Sequence, residues 1–231
     1  MHTIGIDEAG RAASKRRASP SSCIIGIDEA GRGSLAGPVV VAAVSVPKEF
    51  YPRSATLPKL KDSKKLNPTQ RLIWFHYIKN HPRISFTTAR IYPRKIEEIN
   101  IANCANLAAL RCYNKIAGFI NETSAKEADY SDSAVFLDGS LYLGGKKSQP
   151  SFAKTVIRGD EKFVVIKLAS IIAKVTRDRY MTRLHEKQPL YRFNLHKGYG
   201  TALHRALIRK HGPAETHRLT YLKNYRKLAA V

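Results

Sequence analysis

The stretch from Cys23 to Val46 limits the possible folds more than any other part of this chain. It enters through Cys23-Ile24-Ile25-Gly26-Ile27, meets a carboxylate pair at Asp28-Glu29, passes a Gly-rich stretch to Pro38 and continues as a β-branched run from Val39 to Val46. β-branched residues favour a pleated, half-buried surface and glycine and proline punctuate it, so the segment reads as strand, turn, strand. Val39 to Val46 is the longest strongly apolar run. It is far too short to cross a bilayer, and no secretory segment is legible at the N-terminus, so a cytoplasmic protein with no membrane contact is expected.

Downstream patterns extend the sheet and add helices. Asn67, Pro68 and Gln70 predict a capped helix to about Asn80 carrying Leu72, Trp74, Phe75 and Ile78. Ile84 to Ile91, Ala134 to Asp138 and Phe152 to Ile157 read as strands. Ile101, Cys104, Ala105, Ala108, Cys112, Ile116 and Phe119 fall at helical spacing, which makes the two cysteines core residues. A long helix is predicted from Lys162 to about His185, and Thr201 caps another with Leu203, Ala206 and Leu207 on its apolar side. Strands early and helices late predict an α/β sheet domain with a helical C-terminal portion.

That portion is also the most basic. Forty Lys+Arg against eighteen Asp+Glu give a net charge of +22, and phosphate backbones are the usual partner of such an excess. Residues 174 to 231 hold fourteen Lys+Arg, three Asp+Glu and five of the eight histidines. Tyr180, Tyr191, Phe193, Tyr199, Tyr221 and Tyr225 interleave with this charge as candidates for stacking on sugars or bases. Three cysteines with no C-x-x-C spacing argue against a disulfide framework and a structural zinc site.

With acidic residues scarce, their placement is informative. Asp28-Glu29 and Asp138 end predicted strands and Asp160 follows one, each beside glycine. Carboxylates converging outside strand ends would repel one another unless cations neutralised them. Alternating strand geometry lets Asp28 and Glu29 share a site only if the chain turns at once, and Ala30-Gly31-Arg32-Gly33 supplies the expected turn. An all-oxygen ligand set favours Mg²⁺ or Mn²⁺, and with a basic surface it suggests two-metal phosphodiester hydrolysis.

Six ordered blocks carry a family resemblance. Gly26 to Gly33, Leu60 to Leu66, Leu137-Asp138-Gly139, Arg158-Gly159-Asp160, Ala169 to Asp178 and His196 to Thr201 resemble the signature blocks of ribonuclease HII, over about Cys23 to Asn224. The resemblance implies a ribonuclease H-like mixed sheet flanked by helices, in a monomer. It implies an endonuclease that cuts RNA in RNA/DNA hybrids and cuts 5′ to a ribonucleotide embedded in duplex DNA. It places the catalytic, metal-holding set on Asp28, Glu29, Asp138 and Asp160, and puts Gly31, Arg32, Gly33 and Tyr199 at the ribose. Lys64, Lys65, Lys174 and Lys197 are assigned to phosphates, and Asp178 to a structural ion pair. A silent nucleic-acid-binding module and another metal-dependent nuclease of the same fold are the alternatives.

The octapeptide Ile4 to Arg11 recurs intact at Ile25 to Arg32. Only the second copy leads into a strand, so residues 1–22 are expected to be a mobile extension, 23–185 the catalytic domain and 186–231 a basic helical substrate-binding portion.

Overall fold

The computed structural model describes residues 23–54, 56–123 and 134–222. The expected N-terminal extension, with the first copy of the octapeptide, and Tyr225 lie outside the described residues.

Five strands form one mixed sheet in the order β3-β2-β1-β4-β5: β1 (Cys23–Ala30), β2 (Val39–Pro47), β3 (Ser85–Ile91), β4 (Ala134–Asp138) and β5 (Ala153–Val156). β1 pairs antiparallel with β2, Asp28 opposite Ala42 and Glu29 opposite Val41, and parallel with β4. β4 and β5 are also parallel. The three parallel strands therefore run toward one side of the sheet, and Asp28 and Asp138 lie near their C-terminal ends.

Helices cover both faces. On one, Ile25, Ile27, Val39, Val41, Val135 and Leu137 meet Cys104, Ala105, Ala108, Cys112 and Ile116 of α3 (Ile101–Thr123). The cysteines are core residues, as their spacing predicts. The other face packs Ala42, Val44 and Val46 against α1 (Pro68–Asn80) and α5 (Val164–Lys187). α1 begins as predicted: Asn67 Oδ1 accepts the Gln70 N–H at 2.8 Å, and Gln70 Oε1 accepts the Asn67 N–H at 3.1 Å. Its Trp74, Phe75 and Ile78 are buried, whereas Leu72 is exposed. α5 approaches β1 so closely that a Cβ on Gly26 would stand 2.5 Å from the Val165 carbonyl carbon. Short helices α2 (Pro93–Ile99), α4 (Gly159–Lys162) and α6 (Phe193–His196), with α7 (Ala202–His211), complete the α-helices among the described residues. No helix among the described residues is long and apolar enough to cross a membrane.

The C-terminal elements close on the β1–β2 loop. Ala36 joins a cluster with Met181, Leu184, Tyr191 and Phe193, and forms a β-bridge to His217. Two expectations are corrected here. Tyr191 and Phe193 are core residues and not a stacking surface. In α7 the buried face is His204 and Ile208, while Leu203 is exposed, because partner histidines draw His204 inward.

Those histidines form one buried group. The Ala214 N–H donates to His217 Nδ1 at 3.0 Å, His217 Nε2 lies 3.2 Å from His204 Nε2, and His204 Nδ1 lies 2.9 Å from the Tyr199 carbonyl. This order is satisfied when both rings are neutral, with His217 Nε2–H donating to His204 and His204 Nδ1–H donating to Tyr199. His196 stacks on His204 with centroids 4.1 Å apart. Burial, and then the charge a protonated His196 would carry, lowers His204 to about 3. Burial likewise lowers His217 to about 4. An unfolded histidine titrates near ~6.5, so protons favour the unfolded chain. The stability that depends on the neutral rings is whole above about pH 6.5 and is lost as pH falls toward about 4. The thermal midpoint, followed by circular dichroism, is therefore expected to drop across that window. His204→Asn should flatten the decline, and an unchanged slope would contradict the assignment.

Candidate active site

Asp28, Asp138 and Asp160 converge near the C-terminal ends of the central strands, each offering a carboxylate oxygen within 4.8 Å of the others. Asp28 is set by β1, Asp138 is the last residue of β4, and Asp160 stands in the first turn of α4. Arg158 precedes α4 with φ 55° and ψ 43°, a left-handed conformation that is uncommon outside glycine and turns the chain sharply after β5. This turn directs the Asp160 N–H onto Asp138 Oδ1 at 3.1 Å.

The site is electrostatically uneasy without a cation. Burial, followed by Glu29 and Asp138, holds the Asp28 carboxyl well above its usual range. Burial and then Asp138 raise Asp160 as well. Asp28 Oδ1 accepts the Glu29 N–H at 2.7 Å, and the Ser170 hydroxyl, 2.6 Å from Ser63 Oγ, favours the ionised Asp28 carboxyl against its burial. Sequence reasoning missed this serine pair. Its signal was a lone hydroxyl in the otherwise apolar Leu168 to Ala173 stretch.

Glu29 is placed differently from Asp28. β1 runs on through Ala30 without the immediate turn expected after Glu29, so the two acids alternate along a regular strand. Arg32 Nε donates to Glu29 Oε1 at 2.8 Å, while Glu29 Oε2 is buried with no hydrogen-bond partner. Burial raises Glu29 despite Arg32, with Asp138 adding to the rise. Three clustered carboxylates and an orphaned buried oxygen fit a hard divalent cation.

The lysines take distinct positions. Burial opposes the charge on Lys64, but Asp62, Asp28, Asp160 and Asp138 outweigh it and leave Lys64 more basic than usual. Lys65 Nζ is 2.9 Å from Glu161 Oε1, and Glu161 also pairs with Arg158 at 2.7 Å. Lys174 Nζ lies 2.8 Å from Asp178 Oδ1, the ion pair expected of Asp178, and 5.5 Å from the Tyr199 ring centroid. Lys197 Nζ donates to Thr182 Oγ1 at 2.7 Å. Lys174, Lys197 and Tyr199 line a groove of about 940 Å³ that also carries Arg71, Arg179 and Arg183. Gly31, Arg32 and Gly33 follow β1 as the turn beside the acidic cluster.

Part of the positive charge of the C-terminal quarter lies inside the fold and not on its surface. Arg177, Arg218, His196, His204 and His217 are buried, because backbone carbonyls and one another's rings satisfy them.

An acidic cluster at parallel strand ends in this mixed sheet, beside a basic groove, defines a metal-dependent nuclease of the ribonuclease H-like fold. The ribonuclease HII family model matches residues 25–224. A ribonuclease HII from Caldicellulosiruptor bescii is 38% identical over 193 residues, covering 84% of this chain and 83% of the relative. One from Bacillus mycoides is 40% identical over 191 residues, covering 82% of this chain and 65% of the relative. Among solved structures, the ribonuclease HII in a PCNA complex from Archaeoglobus fulgidus is 25% identical, with TM-score 0.58, covering 85% of this chain and 93% of that one. Bst-RNase HIII in complex with Mn²⁺ shares the fold at 21% identity and TM-score 0.69, covering 91% of this chain and 71% of that one. The chain belongs to the ribonuclease HII family and is a metal-dependent endoribonuclease.

Proposed function

We propose that this protein hydrolyses the RNA strand of RNA/DNA hybrids and cuts 5′ to ribonucleotides embedded in duplex DNA, leaving 3′-hydroxyl and 5′-phosphate ends. The observation that carries this reading is the convergence of Asp28, Asp138 and Asp160 within 4.8 Å beside the Gly31-Arg32-Gly33 turn. Asp28, Asp138 and Asp160, with Glu29 reaching the cluster beside Asp138 from the next position of β1, would hold two divalent cations, Mg²⁺ or Mn²⁺, which would supply a water of lowered pKa and neutralise charge at the scissile phosphate. Ser170, paired with Ser63, favours the ionised form of Asp28 that would hold a cation.

The protein's own groups do the positioning. Lys64 faces the acidic cluster and attracts the phosphate that enters it. Lys174 and Lys197 track the backbone along the groove. Lys65 must exchange Glu161 for a phosphate, a small cost for so exposed a pair. Peptide groups at Gly31, Arg32 and Gly33, with Tyr199, read the 2′-hydroxyl that separates RNA from DNA. In this division of labour residues 23–185 carry the chemistry and 186–231 hold the duplex.

Mapping product ends on a duplex with one ribonucleotide tests the reading. A single cut on its 5′ side with a 5′-phosphate product is expected, and cuts scattered through the DNA would overturn it. Tyr199→Ala should weaken the preference for the ribonucleotide duplex over all-DNA duplex by about tenfold, leaving all-DNA affinity within about twofold. Equal losses on both would remove Tyr199 from the ribose.

A further inference from the structure

The largest unexplained investment in the fold is a pair of buried guanidiniums. Arg177 and Arg218 are fully buried, and neither has a carboxylate partner among the described residues. Burial pulls Arg218 down to about 10 and lowers Arg177 as well, yet Arg218 stays charged at neutral pH. Burying a cation against neutral dipoles alone is costly, so a role that merely filled space would be better served by an apolar side chain.

Both spend their donors on one loop. Arg218 Nη2 donates to the Gly31 carbonyl at 2.7 Å and to the Gly37 carbonyl at 3.0 Å. Its Nη1 donates to the Arg32 carbonyl at 2.8 Å and its Nε to Gly37 at 3.2 Å. Arg177 donates to the carbonyls of Pro38 at 3.0 Å and Ala36 at 3.0 Å, to Ser34 Oγ at 2.7 Å, and to the Lys197 carbonyl at 2.8 Å. Ser34 in turn donates to the Gly31 carbonyl at 2.8 Å. The Arg177 guanidinium also lies 5.1 Å from the Tyr199 ring centroid.

A trans peptide is planar, with its N–H opposite its C=O. Drawing the Gly31 and Arg32 carbonyls inward therefore turns the N–H groups of Arg32 and Gly33 outward. Among the described residues neither N–H has an acceptor. Gly31, at φ +91°, permits the arrangement: a Cβ there would stand 1.9 Å from Arg177 Nε.

We propose that Arg177 and Arg218 are positioning residues for ribonucleotide recognition, fixing the Arg32 and Gly33 N–H groups outward and, through Arg177, holding them in register with Tyr199. The inference rests on the proposed role of that loop at the ribose. Neither arginine touches substrate; each acts through backbone that does. Lysine keeps the charge but has no planar fork, so it cannot hold several carbonyls at once.

The test compares wild type, Arg218→Lys and Arg177→Lys as full chains with Mg²⁺. Four quantities are measured: kcat and KM on a duplex with one ribonucleotide, the inhibition constant of the same-sequence all-DNA duplex, and the thermal midpoint. Each variant is expected to lose about tenfold or more in kcat/KM while all-DNA inhibition stays within about twofold. A fastener without a recognition role would lower the midpoint and leave the ratio of the two constants unchanged, and that result would overturn the proposal. If the lysine variants fail to fold, Ser34→Ala carries the same test, since it removes one donor to Gly31 and one acceptor of Arg177. A wild type that cleaves or binds both duplexes alike would defeat the loop's role at the ribose and this proposal with it. Preference in the wild type that persists in the variants would defeat only the clasp.

Discussion

Asp28→Asn is expected to abolish turnover and, in metal-free protein, to raise the thermal midpoint. The substitution is nearly isosteric, and an amide oxygen can still accept the Glu29 N–H that Asp28 accepts at 2.7 Å. What it removes is one charge from a buried cluster in which burial, Glu29 and Asp138 already disfavour ionisation. Without a cation that charge destabilises the fold at neutral pH, so its loss is a gain. With a cation the same charge is a ligand, and weakening a catalytic metal site costs several kcal/mol of transition-state stabilisation, at least about a thousandfold in rate. Calorimetric unfolding in chelator, alongside cleavage with Mg²⁺, separates the two effects. A variant that keeps its activity would remove Asp28 from the chemistry, and one that loses both activity and stability would make it merely structural.

Gly26→Ala is expected to be the most damaging small substitution in the sheet. The added carbon would stand 2.5, 2.6 and 2.7 Å from the Val165 carbonyl carbon and oxygen and the Ile166 nitrogen. These are backbone atoms in the first turn of α5, so no side-chain rotation relieves the contact. α5 must move off β1, taking Ser170 away from Asp28. Overpacking of this kind costs about 3 kcal/mol or more, read as a lower urea midpoint at constant slope. A midpoint within experimental scatter of the wild type would show that α5 can shift freely. Ala at Gly33, where the added carbon meets nothing within 4 Å, is the matching control.

Much of the fold is legible in the sequence because the local signals agree with one another. The Asn67 cap, the β-branched Val39–Val46 run and the small-residue face of Ala105, Ala108 and Cys112 each specify an element that packing then confirms. The acidic trio is legible for a different reason: in so basic a chain, a carboxylate beside glycine at a strand end is conspicuous. Glu29 is harder to place, since the strand continues one residue farther than expected and Glu29 meets the cluster through Asp138 and not by a turn beside Asp28.

The C-terminal quarter misleads because composition counts charges without their surroundings. Arg177 sits at i+4 from Ala173 and i−4 from Met181, both buried, so helical periodicity alone places it on the inner face. Arg218 offers no such signal, because its acceptors are loop carbonyls about 180 residues away in sequence. His204 likewise takes the core position that Leu203 was expected to fill, because His196 and His217 converge on it only in three dimensions.

The most direct test of the central claim is cleavage of three end-labelled duplexes, all-DNA, RNA/DNA hybrid and DNA with one ribonucleotide, each with Mg²⁺, with Mn²⁺ and with chelator. Cutting of only the two ribonucleotide-containing duplexes, and only with metal, is the predicted result. Metal-independent cutting, cutting of the all-DNA duplex, or binding of all three without any cleavage would contradict it.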